Sequence, residues 1–157
     1  MLLKPSCEKR DGKMIIKSRI GLEAECIYVE EFLKAFLEKP HKYACILVDE
    51  AQFLTEKQVD ALASIVDNEN IPVICYGLKT DFQSHLFEGS KRLLEIANVI
   101  EEIPTICWCG KKAIMNARVI DGKMVDEGSQ ILLGGNESYT SLCRKHYQTK
   151  DLGKAGR

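Results

Sequence analysis

A chain of 157 residues, 45% apolar and 29% charged, is long enough for one domain with a real core and a small appendage. A formal net charge of −1 excludes a broad electrostatic footprint for nucleic acid, and no apolar run reaches the length of a membrane span. The chain does not open on a charged segment followed by an apolar one, so no signal peptide is expected. Seven cysteines, an odd number, do not suit a secreted disulfide framework and point to the reducing cytoplasm.

In chain order, "MLLK" reads as a strand fragment, "KPSCEKRDGK" as a polar turn and "MIIKSRIG" as a short strand. "YVEEFLKAFLEK" sets Val29, Phe32, Leu33, Phe36 and Leu37 at helical spacing and ends before Pro40. "YACILV" is an apolar run of strand length. "TEKQVDALASIVDN" opens on a cap, Thr55, and keeps Val59, Leu62, Ala63 and Val66 on one face. "IPVICYG" is again a strand, "GSKRLLEIAN" a helix and "VIEEI" a strand. This alternation predicts an α/β fold, a parallel sheet covered by helices. Its strands read as the continuous apolar runs of strands buried on both faces. Ligands in such sheets bind beyond the carboxyl ends of strands, where Asp49-Glu50 and Gly77-Leu78 lie. After Pro104 the character changes to a Cys turn, a β-hairpin around Asp121-Gly122 and a Gly-rich loop. Two domains are expected, residues 1–104 and 105–157.

"CWCG" and "CRKH" together offer Cys107, Cys109, Cys143 and His146, with 34 positions from Cys109 to Cys143. A Cys3His set matches a closed, structural zinc site with no open coordination position. The plainer alternative is three free thiols and a surface histidine. Gly110 suits the tight turn between sulfurs, and Trp108 reads as packing. Cys7, Cys26, Cys45 and Cys75 read as ordinary reduced thiols.

"ILVDEAQF" is an apolar strand running into two acids. In phosphate-binding folds the Asp of such a pair holds magnesium, and a neighbouring Glu can take a proton from the attacking oxygen. Alone the pattern equally describes a strand entering a solvated turn. Followed by "GLKTDFQSHLF", "CWCGKKA" and "GGNESYTSLCRKHY" in that order, it resembles the type II thymidine kinase family over residues 3–148. The resemblance implies a P-loop type α/β fold with a small zinc-binding hairpin and lasso domain. It also implies phosphoryl transfer from ATP with magnesium to the 5′-hydroxyl of thymidine or deoxyuridine. Carried over by motif, Glu50 is the general base, and Asp49, Glu50, Ala51 and Gln52 form the nucleotide-site segment. Phe53, Leu78, Phe82 and Phe87 match apolar residues around the nucleoside, although Phe82 and Phe87 could equally be core. "ILLGGNESY" resembles a lasso over the base, with Leu132 in it and Tyr139 next to the sugar. A homo-oligomer, a tetramer, is a further implication. No nucleic-acid or membrane partner is expected.

Two departures stand out. The family opens with G-x-x-x-x-G-K-[ST], a phosphate-cradling loop that this sequence lacks, which implies about 25–30 family residues ahead of Met1. Little kinase activity is therefore expected of the chain as written. The alternative is a non-catalytic relative serving as a zinc-containing nucleoside-binding or assembly module. Glu8 also replaces the usual Asp of K-P-x-x-D-x-R, in which Arg10 matches the arginine.

Overall fold

The computed structural model describes residues 1–8, 14–18, 20–36, 43–130 and 138–153. Its contacts divide the chain into two compact units, residues 1–79 with 87–97 and residues 80–86 with 98–157. Arg10, Leu132 and most of the expected lasso lie outside the described residues.

The first unit holds β1 (Leu2–Lys4), β2 (Ile15–Lys17), β3 (Glu23–Glu25), β4 (Ile27–Tyr28), α1 (Val29–Phe36), β5 (Ile46–Val48), a 3₁₀ turn (Ala51–Phe53), α2 (Glu56–Glu69), β6 (Val73–Cys75) and α3 (Glu88–Ile96). Four strands form a parallel sheet in the order β4-β1-β5-β6, with Leu3 opposite Ile27 and Val48, and Leu47 opposite Ile74. The fold is thus the expected α/β class, a parallel sheet flanked by helices. Side chains alternate across each strand. Leu3, Ile46 and Val48 enter a core with Val29, Phe32, Val59, Leu62 and Ile65, and Val73 and Cys75 pack against it. Ile74 points away from that core and is half-exposed.

Helix α2 starts where the sequence predicts. Thr55 Oγ1 accepts from Gln58 N–H, and Gln58 Oε1 accepts from Thr55 N–H, a capping box worth about 1 kcal/mol. Glu88 adds a carboxylate oxygen 2.9 Å from Glu56 N–H, again at the positive end of the helix.

"MIIKSRIG" supplies the expected short strand, β2, which pairs antiparallel with β3 in a local ribbon, Ile15 opposite Glu25. One strand expectation needs correction. Val99 to Ile103 form no strand, and Val99, Ile100 and Ile103 are exposed. An apolar run becomes a strand only when an edge accepts its backbone, and none pairs with it among the described residues.

The second unit contains β7 (Thr105–Ile106), β8 (Lys112–Ala113), β9 (Met115–Ile120), β10 (Lys123–Val125), β11 (Ser138–Leu142) and α4 (Arg144–Gln148). The β9–β10 hairpin turns at Asp121 and Gly122, with φ of 49° and 73°, where the Asp-Gly signal puts it. Strand β11, unexpected from the sequence, pairs with β9 from Ser138↔Val119 to Leu142↔Met115. The apolar core here is small: Cys107, Ala113, Ala117, Leu142 and Cys143. No helix among the described residues is long and apolar enough to cross a membrane.

Candidate functional site

Strand β5 ends at Val48, and Asp49 N–H still continues the ladder by donating to Leu3 O at 2.9 Å. The next residue, Glu50, takes φ 50° and ψ 37°, a left-handed conformation costly for a residue with a Cβ. Such a bend persists only where neighbours enforce it. Ala51 N–H donates to Tyr76 O at 2.8 Å, and a Cβ on Gly89 would stand 2.5 Å from Ala51 O and 2.7 Å from Leu54 O. Helix α3 therefore lies directly on the 3₁₀ turn, a contact that only glycine permits. Gly77 is pinned likewise, its would-be Cβ 2.6 Å from Gln52 Oε1.

Gln52 is buried and bridges two groups. Its Oε1 accepts from Leu78 N–H at 3.1 Å, and its Nε2 donates to Glu50 Oε2 at 2.5 Å. The Leu78 bond fixes which end of the amide is oxygen, so an N–H₂ must face Glu50. Glu50 is thereby held as an acceptor. Asp49 Oδ1 accepts from Glu50 N–H at 2.9 Å, and both acids are partly exposed. Two carboxylates at a strand end form an oxygen donor set of the kind magnesium takes. Leu78 is half-exposed, Phe87 is buried, and the rings of Phe53 and Phe87 meet edge to face at 5.6 Å. Ser90 Oγ donates to Leu78 O at 2.6 Å.

Glu8 is not free to lean toward the acids as a loose side chain. It lies in a buried ion pair, Lys4 Nζ to Glu8 Oε2 3.3 Å, and Lys4 also donates to Ile15 O at 2.7 Å. Breaking such a pair strands a buried charge, so Lys4 and Glu8 act as one unit.

In the second unit, Gly110 N–H donates to Cys107 O at 2.8 Å with Gly110 at φ 82°, which turns Cys109 back beside Cys107. Cys143 caps α4, so Cys143 and His146, three residues apart, share a helix face. The four ligand atoms lie within 4.8 Å of one another. His146 Nδ1 is 3.4 Å from Cys107 Sγ and 3.6 Å from Cys143 Sγ. A tetrahedral zinc with bonds of about 2.0–2.3 Å places its donors roughly 3.5–3.8 Å apart, and the set fits it. Burial pushes the Cys107 thiol up, but backbone N–H groups and His146 outweigh it and lower it to about 6, favouring the thiolate a metal requires. Cys75 is the contrast: burial alone raises it to about 11. Trp108 stacks on His146 with ring centroids 4.3 Å apart, and its Nε1 donates to Asp151 O.

The remaining expected residues divide between the units. Glu50, Gln52, Phe53, Leu78 and Phe87 come together in the first. Phe82 and Tyr139 come together in the second, both against Arg118. Phe82 is buried, with the guanidinium carbon 3.7 Å above its ring centroid, whereas Tyr139 is half-exposed. Sequence reasoning missed Arg118, Lys4 and Gly89, and placed Gly77 at a strand end without its contact to Gln52. A signal existed for Arg118 alone, a cation in the middle of a hairpin strand with no other charged residue.

A sequence model of the thymidine kinase family matches residues 1–147. The chain is similar to the thymidine kinase of Lactococcus lactis subsp. lactis (strain IL1403), 50% identical over 151 residues, covering 94% of this chain and 80% of the relative. It is also similar to that of Streptococcus pyogenes serotype M1, 46% identical over 159 residues (97% and 82% covered), and that of Streptococcus agalactiae serotype Ia, 45% identical over 156 residues (97% and 82%).

Proposed function

The chain belongs to the thymidine kinase family, and from that premise we propose how its residues divide the work of a thymidine kinase that uses ATP. Glu50 is the general base. As the 5′-hydroxyl of thymidine or deoxyuridine attacks the γ-phosphorus, its proton passes to the Glu50 carboxylate, the new P–O bond forms, and ADP leaves with the electrons of the broken bond. Gln52 holds that carboxylate by donating to Oε2, and Leu78 N–H fixes the Gln52 amide. The single observation that carries this assignment is that chain of bonds, ending on a glutamate forced into a left-handed bend at the tip of β5. A base must be aimed before it can act, and most of the rate in phosphoryl transfer comes from positioning and electrostatics.

Asp49 is the residue that would hold magnesium, whose charge neutralises the phosphate oxygens when bound. Asp49 to Gln52 form the nucleotide segment. By the resemblance, Phe53, Leu78, Phe82, Phe87, Leu132 and Tyr139 serve the nucleoside. Cys107, Cys109, Cys143 and His146 would hold a structural zinc, with no role in the chemical step. A cytoplasmic setting and assembly into a homo-tetramer rest on the resemblance. The relatives, all named as kinases, weigh against a non-catalytic binding or assembly module.

Thymidine-dependent phosphate transfer from ATP tests this reading. In a chain completed with the phosphate-cradling loop, Glu50→Gln should lower kcat by about 10²-fold or more, the scale of general acid–base catalysis. Turnover that survives the change nearly intact would remove Glu50 from the role.

A further inference from the structure

Among the described residues Arg118 is the least exposed of the large polar side chains, at 1%, and its guanidinium donates to three neutral oxygens. Nε donates to Tyr139 Oη at 2.9 Å, Nη1 to Ser129 O at 2.9 Å and Nη2 to Gln130 O at 3.1 Å. One face of the guanidinium covers the Phe82 ring, and its carbon lies 5.5 Å from the Tyr139 ring centroid. Burying a cation is costly unless its donors are satisfied. A residue spent this way marks a place where position matters more than stability.

The partners are themselves fixed. Gln130 is held a second time, its Nε2 donating to Asp81 Oδ2 at 2.8 Å. Asp81 is buried, and its Oδ1 accepts from Gln83 N–H and His85 N–H, both at 2.9 Å. Gly128, at φ 127°, runs beside Nη1, with only 3.4 Å between that nitrogen and a would-be Cβ. The phenol oxygen of Tyr139 accepts from Arg118, which leaves its own O–H to donate elsewhere. Tyr139 is 48% exposed, so its ring edge faces solvent while its oxygen is anchored.

We propose that Arg118 is a positioning residue for nucleoside specificity: one buried planar cation sets the Tyr139 phenol, the Phe82 ring and the Ser129–Gln130 backbone in a single register. It touches no reacting atom. It aims the Tyr139 hydroxyl as a donor toward an oxygen of the nucleoside, and therefore governs thymidine affinity and not the phosphoryl step. The inference rests on the assignment of Tyr139 to the nucleoside. Lysine can replace Arg118 only in part, because one ammonium cannot present three donors in a plane to three separate oxygens.

Arg118→Met, Arg118→Lys and Tyr139→Phe separate the possibilities. Each variant, made in a chain completed with the phosphate-cradling loop, is assayed for thymidine KM, ATP KM, kcat, zinc content and backbone amide exchange over residues 128–130 and 138–140. Arg118→Met should raise thymidine KM about tenfold or more, leave ATP KM within about twofold and kcat within about threefold, and speed amide exchange in both stretches. Arg118→Lys should recover part of the loss, and Tyr139→Phe should cost about threefold in thymidine KM alone. A folded, zinc-bearing Arg118→Met protein with unchanged thymidine KM overturns the proposal, as does an equal fall in kcat and rise in both KM values. If Arg118→Met loses zinc, the other two variants decide: unchanged thymidine KM in both rejects the role. An unsubstituted protein that carries the phosphate-cradling loop and still phosphorylates no thymidine would reject the kinase assignment instead. Faster exchange in Arg118→Met would then still uphold the positioning role, and unchanged exchange would reject it.

Discussion

Glu50 and His146 are held in place by opposite means. Around Glu50, the sheet, α1, α2 and the segment around the 3₁₀ turn supply a core of eleven buried residues, Leu93 and Ile96 of α3 pack against it, and the backbone is pressed so closely that only glycine fits at positions 77 and 89. Around His146, five buried residues form the core, three of them alanine or leucine and two of them cysteines. A large core can store the strain of a left-handed glutamate in its packing. A small one has little to store it in, and its geometry has to come from stronger local bonds: a buried guanidinium across three oxygens, and the metal that the four Cys and His ligands would hold. The difference says where each unit should fail.

Metal removal should break the second unit first and hardest, since structural zinc contributes on the order of 10 kcal/mol in small folds. Trp108, the chain's one tryptophan, reports it through its stack on His146. Chelation under reducing conditions, or Cys143→Ser, should shift Trp108 emission. The far-ultraviolet helical signal should persist, because α1, α2 and α3 all belong to the first unit. Loss of both signals together would mean that the two units do not differ as described.

Gly89→Ala attacks the other unit. Its Cβ would sit 2.5 Å from Ala51 O, a backbone atom that cannot swing away. Overpacking of this kind costs roughly 1–3 kcal/mol, so denaturant midpoints should fall while zinc content stays whole. A smaller effect, about tenfold in kcat, is expected of Gln52→Leu, which leaves Leu78 N–H without its acceptor and Glu50 without its brace. Equal activity in Gln52→Leu and the unchanged protein would show that the amide is packing alone.

Much of this was legible in the residues. Apolar periodicity located α1, α2 and α3, Thr55 announced its own cap, and Asp121-Gly122 announced the hairpin, because each depends on chemistry within a few positions. The Cys and His pairs were readable because a metal needs them at short spacing, and the structure brings all four together. What stayed hidden depends on distant chain. Nothing near Gly89 says that α3 will lie on residues 51–54, and nothing near Arg118 names Ser129 or Tyr139 as partners. Val99 to Ile103 misled for the same reason: strand composition is local, but a strand needs an edge. Phe82 carried two readings in the sequence, ligand contact or core, and only the packing of Arg118 against its ring gives its surroundings.

The division of labour between aimed carboxylate and nucleoside-holding residues is tested most directly by titrating thymidine calorimetrically into Glu50→Gln and into the unchanged protein. Removing one carboxylate oxygen charge while keeping shape should leave thymidine affinity within about twofold, even as kcat falls about 10²-fold. A thymidine affinity that falls in step with kcat would contradict the division and make Glu50 a binding residue.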